Sequence, residues 1–232
     1  MYKNKKIFAL IPARKGSIGI KNKNIKELGK KKLIEWTLSF VKKMKLFDHI
    51  LISSDCNTIK KINENKYKYD FIKRSRLLST SKALAVDVVL NSLEYLENKK
   101  MYFDYIVYLE PTTPFRTIET VTNSLKKCLS DDSINSFFVV KPSKEVVGIL
   151  DGKKFIPKYN HKVRRRQERN NLFKETGIVY ITKVRYIKKY KKILCPQPSV
   201  TISCGYETLD INDDVDFMLA EKLIEKNEVA SF

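Results

Sequence analysis

The run Ile7-Phe8-Ala9-Leu10-Ile11, closed by Pro12, is the strongest constraint on how this chain folds. Successive apolar residues without alternation fit a strand buried on both faces, as in a parallel sheet covered by helices. The signal returns at His49-Ile50-Leu51-Ile52-Ser53-Ser54-Asp55 and at Asp104-Tyr105-Ile106-Val107-Tyr108-Leu109, the latter halted by Pro111 and Pro114. Helical spacing lies between them: over residues 32–44 it is carried by Leu33, Trp36, Leu38, Phe40, Val41 and Met44. Residues 57–65, 84–98 and 117–129 read as further helices, with short strands near 69–73 and 136–140. This alternation predicts an α/β fold with an open, mostly parallel, doubly wound sheet and helices on both faces.

The rhythm breaks at about 142–172. There Gly148, Asp151-Gly152 and Pro157 suggest a hairpin, and three consecutive arginines, Arg164 to Arg166, come after it. This stretch reads as an arm inserted into the sheet. Regular structure resumes with the strand Gly177-Ile178-Val179-Tyr180-Ile181. A final helix begins near Asp213, capped by Asp213 or Asp214, and is expected to turn Val215, Phe217, Met218, Leu219, Leu223 and Ile224 inward. With no internal repeat and no low-complexity linker, residues 1–232 read as a single domain carrying the arm.

Lys and Arg number 46 against 26 Asp and Glu, a formal net charge of +20. Most of the surplus is Lys scattered as single residues or pairs, so a lysine-rich background is the first reading. Attraction of small polyanionic substrates into a positive cleft is the second. Nucleic-acid binding ranks last. Cys56, Cys128, Cys195 and Cys204 form no C-x-x-C pair and have no His at ligand spacing, which argues against structural zinc and a disulfide framework. His49 and His161 read as ordinary polar residues. No apolar stretch approaches the ~20 residues that cross a bilayer. The start of the chain is too short in apolar residues for a signal-peptide core, so a cytoplasmic protein is expected.

The segment that follows the first strand, Pro12-Ala13-Arg14-Lys15-Gly16-Ser17-Ile18-Gly19-Ile20-Lys21-Asn22-Lys23-Asn24, falls at the carboxyl edge of the sheet, where open α/β sheets bind ligands. Gly16 and Gly19 let the backbone turn and approach a ligand, and successive N–H groups can form an anion nest. Arg14, Lys21 and Lys23 add cationic donors suited to a triphosphate. The order of residues is neither that of a Walker A loop nor that of the dinucleotide fingerprint. Taken alone, the segment is equally well a basic loop with turn glycines.

Five segments in order resemble the acylneuraminate (sialic acid) cytidylyltransferases and their relatives acting on legionaminic and pseudaminic acids. They are Ile11-Pro12-Ala13-Arg14-x-Gly16-Ser17-x-Gly19-Ile20-x-x-Lys23-Asn24, Leu109-Glu110-Pro111-Thr112-Thr113-Pro114-Phe115-Arg116, Arg165-Arg166-Gln167-Glu168, Thr176-Gly177-Ile178-Val179-Tyr180-Ile181 and Leu209-Asp210-Ile211-Asn212-x-x-x-Asp216. The resemblance implies a Rossmann-like nucleotidyltransferase sheet whose inserted arm, 142–172, makes a dimer contact. It also implies a reaction dependent on Mg²⁺, with Mn²⁺ as an alternative. The anomeric hydroxyl of an acidic sugar would attack the α-phosphorus of CTP and release pyrophosphate. Arg14 and Lys23 would act in catalysis and hold phosphates, the backbone from Ser17 to Gly19 would cradle them, and Asn24 would fix the loop or the nucleotide. Arg74 would lie near the cytosine, although an exposed loop cation is an equal reading. Glu110, Arg116, Arg166, Gln167 and Tyr180 would face the sugar, although Arg116 reads equally as a structural residue at a helix start and Tyr180 as a core residue of its strand. Asp210 and Asn212 would hold the metal.

Four departures bear on the substrate, one being that the family's lysine has no clear counterpart around Val146 and Val147. Asn212 stands where the family has a second aspartate, leaving Asp213 or Asp214 to compensate. Glu110 stands where it has Gln, and an ionised carboxylate there repels an acidic sugar and cannot donate a hydrogen bond. The loop Leu78-Ser79-Thr80-Ser81-Lys82-Ala83 differs from the usual pattern, and Lys82 would be a phosphate contact or a solvated cation. The rival readings are CMP transfer to the eight-carbon acid Kdo, transfer to another sugar, or a catalytically silent protein that binds nucleotide or nucleic acid.

Overall fold

The computed structural model describes residues 4–17, 19–158 and 172–229. In chain order the elements are β1 (Ile7–Pro12), β2 (Glu27–Leu28), β3 (Lys31–Lys32), α1 (Leu33–Lys43), β4 (His49–Ser54), α2 (Asn57–Ile62), β5 (Asp70–Lys73), α3 (Ala85–Asn98), β6 (Tyr105–Tyr108), α4 (Ile118–Ser130) and β7 (Ser136–Ser143). Then come β8 (Gly148–Asp151), β9 (Lys154–Pro157), β10 (Leu172–Lys183), α5 (Val184–Tyr190), β11 (Ser199–Ile202) and α6 (Asp214–Glu225). Seven strands form one sheet in the order β11-β7-β10-β6-β1-β4-β5. β1 is parallel to both β4 and β6, β4 to β5, and β7 to β11, while β10 runs antiparallel to its neighbours β6 and β7.

Ile7 to Ile11 are fully buried, as an uninterrupted apolar strand requires. On one face of the sheet, α1, α2 and α4 bury Ile34, Leu38, Phe40, Ile59, Val121 and Leu125 against Ile7, Ala9 and Val107. On the other, α3 and α5 bury Val89, Leu93, Leu96, Val184 and Ile187 against Phe8, Leu10 and Ile106. From β1 the chain winds outward through β4 to β5, then returns past β1 to β6. The loops leaving β1 and β6 therefore diverge and open a crevice between them.

A third apolar cluster lies at that carboxyl edge: Ile20, Leu33, Trp36, Phe115, Ile211 and Phe217 pack together. Three of the family-like segments thus meet through their apolar residues, with the Trp36 and Phe115 rings edge to face at 5.3 Å. Each such large side chain contributes roughly 1.5–3 kcal/mol on burial.

Several expectations change. The helix at 57–65 stops at Ile62 and widens into a π-turn over Asn63–Tyr67, because the Asn63 amide takes both the N–H and the carbonyl of Tyr69. The strand at 177–181 is part of a much longer one, β10, and it is antiparallel. α5 and β11 were not expected. α5 is short and rich in Lys, and β11 is a half-exposed edge strand preceded by Pro196 and Pro198. In α6, Asp213 is the N-cap as expected, its Oδ1 accepting from Asp216 N at 3.0 Å. Val215, Met218 and Leu219, however, are exposed, since the helix seats only Phe217 and Ala220 fully. The expected hairpin is present as β8 and β9, with Gly152 at φ +58 in its turn; the remainder of the arm, 159–171, lies outside the described residues.

Candidate active site

The loop after β1 leaves the sheet at Ala13, whose N–H donates to Ser53 O and whose carbonyl accepts from Ser54 Oγ. Asn24 folds the loop back on itself, its Nδ2 donating to Arg14 O at 3.0 Å. Gly19 is demanded by packing: a Cβ there would fall 2.2 Å from the backbone oxygen of Asn212. Gly16 meets nothing within 4 Å and keeps an ordinary φ, so its expected role in close approach is not seen in the fold itself.

This loop forms one wall of a cavity of about 380 Å³ between the carboxyl ends of β1 and β6. Arg14, Ser17, Gly19, Lys23, Asn24 and Arg74 all line it, as do Glu110 and Asn212. Arg74 is buried, with Nε donating to Ser53 Oγ at 3.0 Å, so it is not the exposed loop cation of the alternative reading. Burial also lowers its pKa. Lys23 donates to Ile211 O at 2.7 Å. Burial lowers its pKa, against the opposing pull of Asp210, Glu110 and Asp216.

Two carboxylates lie side by side here, Glu110 in the cavity lining and Asp210 next to it behind Gly177. Glu110 follows β6, and Asp210 is brought in by Ile211 N donating to Thr112 O at 2.8 Å. Both flank Gly177, which holds φ +70 within an irregularity of β10. A Cβ at Gly177 would lie 3.2 Å from Glu110 Oε2 and 3.8 Å from Asp210 Cγ. Burial, with Asp210 adding to it, pushes the Glu110 carboxyl up to about 7. Near neutral pH it therefore spends part of its time protonated, which softens the repulsion toward an acidic ligand expected from a carboxylate at this position.

Asp210 Oδ1 is buried and has no hydrogen-bond partner. Its Oδ2 accepts from Asn212 Nδ2 at 2.9 Å. Asp213 caps α6, Asp214 pairs with Lys26 at 3.4 Å, and Asp216 accepts from the N–H groups of Asn212 and Asp213. Asp213 and Asp214, the two expected to compensate for Asn212, are thus engaged in capping and in a surface ion pair. Among the described residues no group of three or more His, Cys, Asp or Glu converges as a metal cage. The donor set still suits Mg²⁺, which takes one or two carboxylates and completes its shell with water and phosphate oxygens. An orphaned, buried carboxylate oxygen is the atom such an ion would satisfy.

The sugar-facing residues divide. Arg116 does not face the cavity. It is fully buried and donates to Ile178 O at 2.9 Å, to Thr37 Oγ1 at 2.8 Å and to Glu110 O. Burial lowers its pKa to about 9, with Glu110 and Asp210 opposing. Its role is to tie α1, β10 and the segment after β6 together, the structural alternative and not the sugar contact. Tyr180 is half-buried on β10, opposite Tyr108 on one side and Phe138 on the other, with ring centroids at 6.0 and 6.2 Å. Burial, and after it Glu110, raises its hydroxyl pKa. Arg166 and Gln167 lie outside the described residues.

Sequence reasoning missed the remaining walls. Tyr108, Ala83, Ala85 and Val88 form the apolar side of the cavity, and Thr80 and Ser81, rather than Lys82, add hydroxyls. The only signal for Tyr108 was its place at the end of a central strand.

Comparison with known proteins agrees with this geometry. A family model described as Cytidylyltransferase matches residues 8–201. A CMP-N,N'-diacetyllegionaminic acid synthase of Legionella pneumophila is 26% identical over 229 residues, covering 97% of this chain and 99% of its own. An N-acylneuraminate cytidylyltransferase of Escherichia coli is 27% identical, covering 95% of this chain but only 52% of its own length. Among solved structures, a CMP:2-keto-3-deoxy-manno-octonic acid synthetase complexed with CTP superposes with a TM-score of 0.71 at 13% identity, over 96% of this chain and 99% of that one. On the family match, which spans most of its length and all but the last of the five segments, the chain belongs to the cytidylyltransferase family.

Proposed function

We propose that this protein transfers CMP from CTP to a nonulosonic acid, a nine-carbon sugar acid of the sialic, legionaminic or pseudaminic type, and releases pyrophosphate. The observation that carries the reading is the cavity itself. Arg14, Ser17, Gly19 and Lys23 line it as anion donors together with Glu110, and Asp210 lies beside Glu110.

A nucleotide fits with its base against Tyr108, Ala85 and Val88 beside Arg74, and its phosphates against the glycine loop. The acceptor then enters past Glu110, toward Tyr180. Its anomeric hydroxyl gives up its proton to solvent, and the oxygen forms the new bond to the α-phosphorus as the bond to the β-phosphate oxygen breaks. Lys23 and Arg14 offset the charge that gathers on the departing pyrophosphate. Asp210 and the neighbouring Glu110 would hold Mg²⁺ or Mn²⁺, with Asn212, expected as a ligand, instead steadying Asp210 through its amide nitrogen. When bound, the ion neutralises phosphate charge and orients the leaving group.

The paired exposure of Ile149, Leu150, Phe155 and Ile156 on the β8–β9 hairpin supports a homodimer built through the arm, which light scattering after size exclusion would check. Four unpaired cysteines accord with a cytoplasmic setting, and no described helix is long and apolar enough to cross a membrane. The deciding experiment is pyrophosphate release from CTP across a panel of nine-carbon acids, with the eight-carbon acid Kdo as comparator. Release with nine-carbon acids alone supports the proposal. Release with Kdo alone would reassign the substrate, and release with no acid, in Mg²⁺ or Mn²⁺, would overturn the enzymatic reading.

A further inference from the structure

Glu207 is a buried carboxylate, 8% exposed, that forms no ion pair among the described residues. Three hydroxyls converge on it instead. Thr117 Oγ1 donates to Oε2 at 2.7 Å, Thr120 Oγ1 to Oε1 at 2.8 Å, and Ser203 Oγ also to Oε1. Thr117 is the N-cap of α4, its hydroxyl oxygen accepting from Thr120 N at 3.1 Å, so the carboxylate lies over a helix N-terminus that favours negative charge.

A buried charge held by neutral donors is a costly way to fill a core position that an apolar side chain could fill. What it accomplishes is placement. After β11 the chain turns at Gly205, φ +76, and makes one tight turn over Tyr206–Thr208 before bringing Asp210 beside Glu110. Glu207 pins that turn to Thr117. The residue before Thr117 is Arg116, which grips Glu110 O. Glu207 is therefore a second lock between the two segments that bear the site's carboxylates, beside the direct Ile211 N–H to Thr112 O bond.

We infer that Glu207 is a positioning residue for Asp210, holding its carboxylate beside Glu110 as a ligand for a divalent cation. This rests on the function proposed above. The experiment compares Glu207→Ala and Glu207→Gln with the wild type, by titration of Mn²⁺ in the presence of CTP followed by electron paramagnetic resonance, alongside melting temperature and pyrophosphate release. Asp70→Ala, at the opposite edge of the sheet, serves as a control for lost stability alone.

Glu207→Ala is expected to weaken Mn²⁺ binding about tenfold or more, with turnover partly restored by excess Mn²⁺, and Glu207→Gln to stay within about threefold of wild type. Asp70→Ala should melt earlier with unchanged Mn²⁺ affinity. A Glu207→Ala protein that melts earlier but binds Mn²⁺ like the wild type would overturn the inference alone. Wild-type protein that binds no Mn²⁺ with CTP would remove the metal reading as well. Should Glu207→Ala fail to fold, Thr120→Val, which deletes one of the three donors, must weaken Mn²⁺ measurably for the inference to stand.

Discussion

The Lys23 ammonium donates to the carbonyl of Ile211 at 2.7 Å, joining the loop after the first strand to the loop before the last helix. The cation is thereby fixed between Asp210 and the glycine loop, not free on a flexible stem. A donor held in advance where charge develops is worth more than a mobile one, because nothing reorganises during the reaction. Lys23→Met should lower turnover by about 100-fold or more, with Asn24 and Arg14 still folding the loop. Pyrophosphate release, checked against an unchanged circular dichroism spectrum, measures this; near-wild-type turnover would remove Lys23 from the phosphate site.

Glu110 gives the metal-free protein a pH signature. Its carboxyl ionises near 7 when folded and in the ordinary range near 4.5 when unfolded. Between these values the folded state keeps a proton that the unfolded state has released, so stability falls as pH rises through the window and levels off above it. The cost when both states are ionised is on the order of 3 kcal/mol. Glu110→Gln removes the cost, so in a chelator it should be more stable than wild type at pH 8.5 and nearly equal to it at pH 5. Urea unfolding at the two pH values decides; an advantage that does not grow with pH would contradict the assignment.

Arg116 is expected to matter for folding before it matters for the acceptor. Truncating it to Met strands Ile178 O, Thr37 Oγ1 and Glu110 O without their donor, beneath two carboxylates that lose a compensating cation. Breaking such a buried arrangement from one side costs about 3–5 kcal/mol. Thermal unfolding of Arg116→Met should show that loss. A variant with wild-type stability and a raised KM for the sugar acid would restore the sugar contact instead.

Whether a feature could be foreseen depended on how local its causes were. The buried strand Ile7–Pro12 follows from its apolar run, and that run places the loop bearing Arg14, Ser17, Gly19, Lys23 and Asn24 at the carboxyl edge of the sheet, whereas Arg74, after β5, was reached only through the family resemblance. Arg116 could not be placed this way, because its partners Thr37 and Ile178 lie on elements far along the chain. The direction of β10 was equally hidden: a buried strand carries the same apolar pattern whichever way it runs. The exposed Val215, Met218 and Leu219 show the reverse case, in which an apolar helical pattern is wider than the surface the fold offers it.

Two glycines hold the site's backbones together for different reasons. At Gly177 a side chain would need the left-handed φ of +70 and would meet Thr113 Oγ1 at 2.9 Å, both carboxylates lying close behind. At Gly19 the φ is ordinary, but a methyl group would strike the Asn212 backbone oxygen at 2.2 Å, and a backbone cannot swing aside as a flexible side chain can. Gly19→Ala should therefore separate the phosphate loop from the Asp210–Asn212 segment without disturbing the sheet beneath. The expected result is a loss of CTP affinity, by about tenfold or more given how steeply such contacts depend on distance, with a melting temperature within a few degrees of wild type. Gly177→Ala adds left-handed strain of about 1–2 kcal/mol to its clash and should lower both quantities together. Isothermal titration with CTP and thermal unfolding of the pair would show the split, and equal stability losses in both variants would refute the distinction.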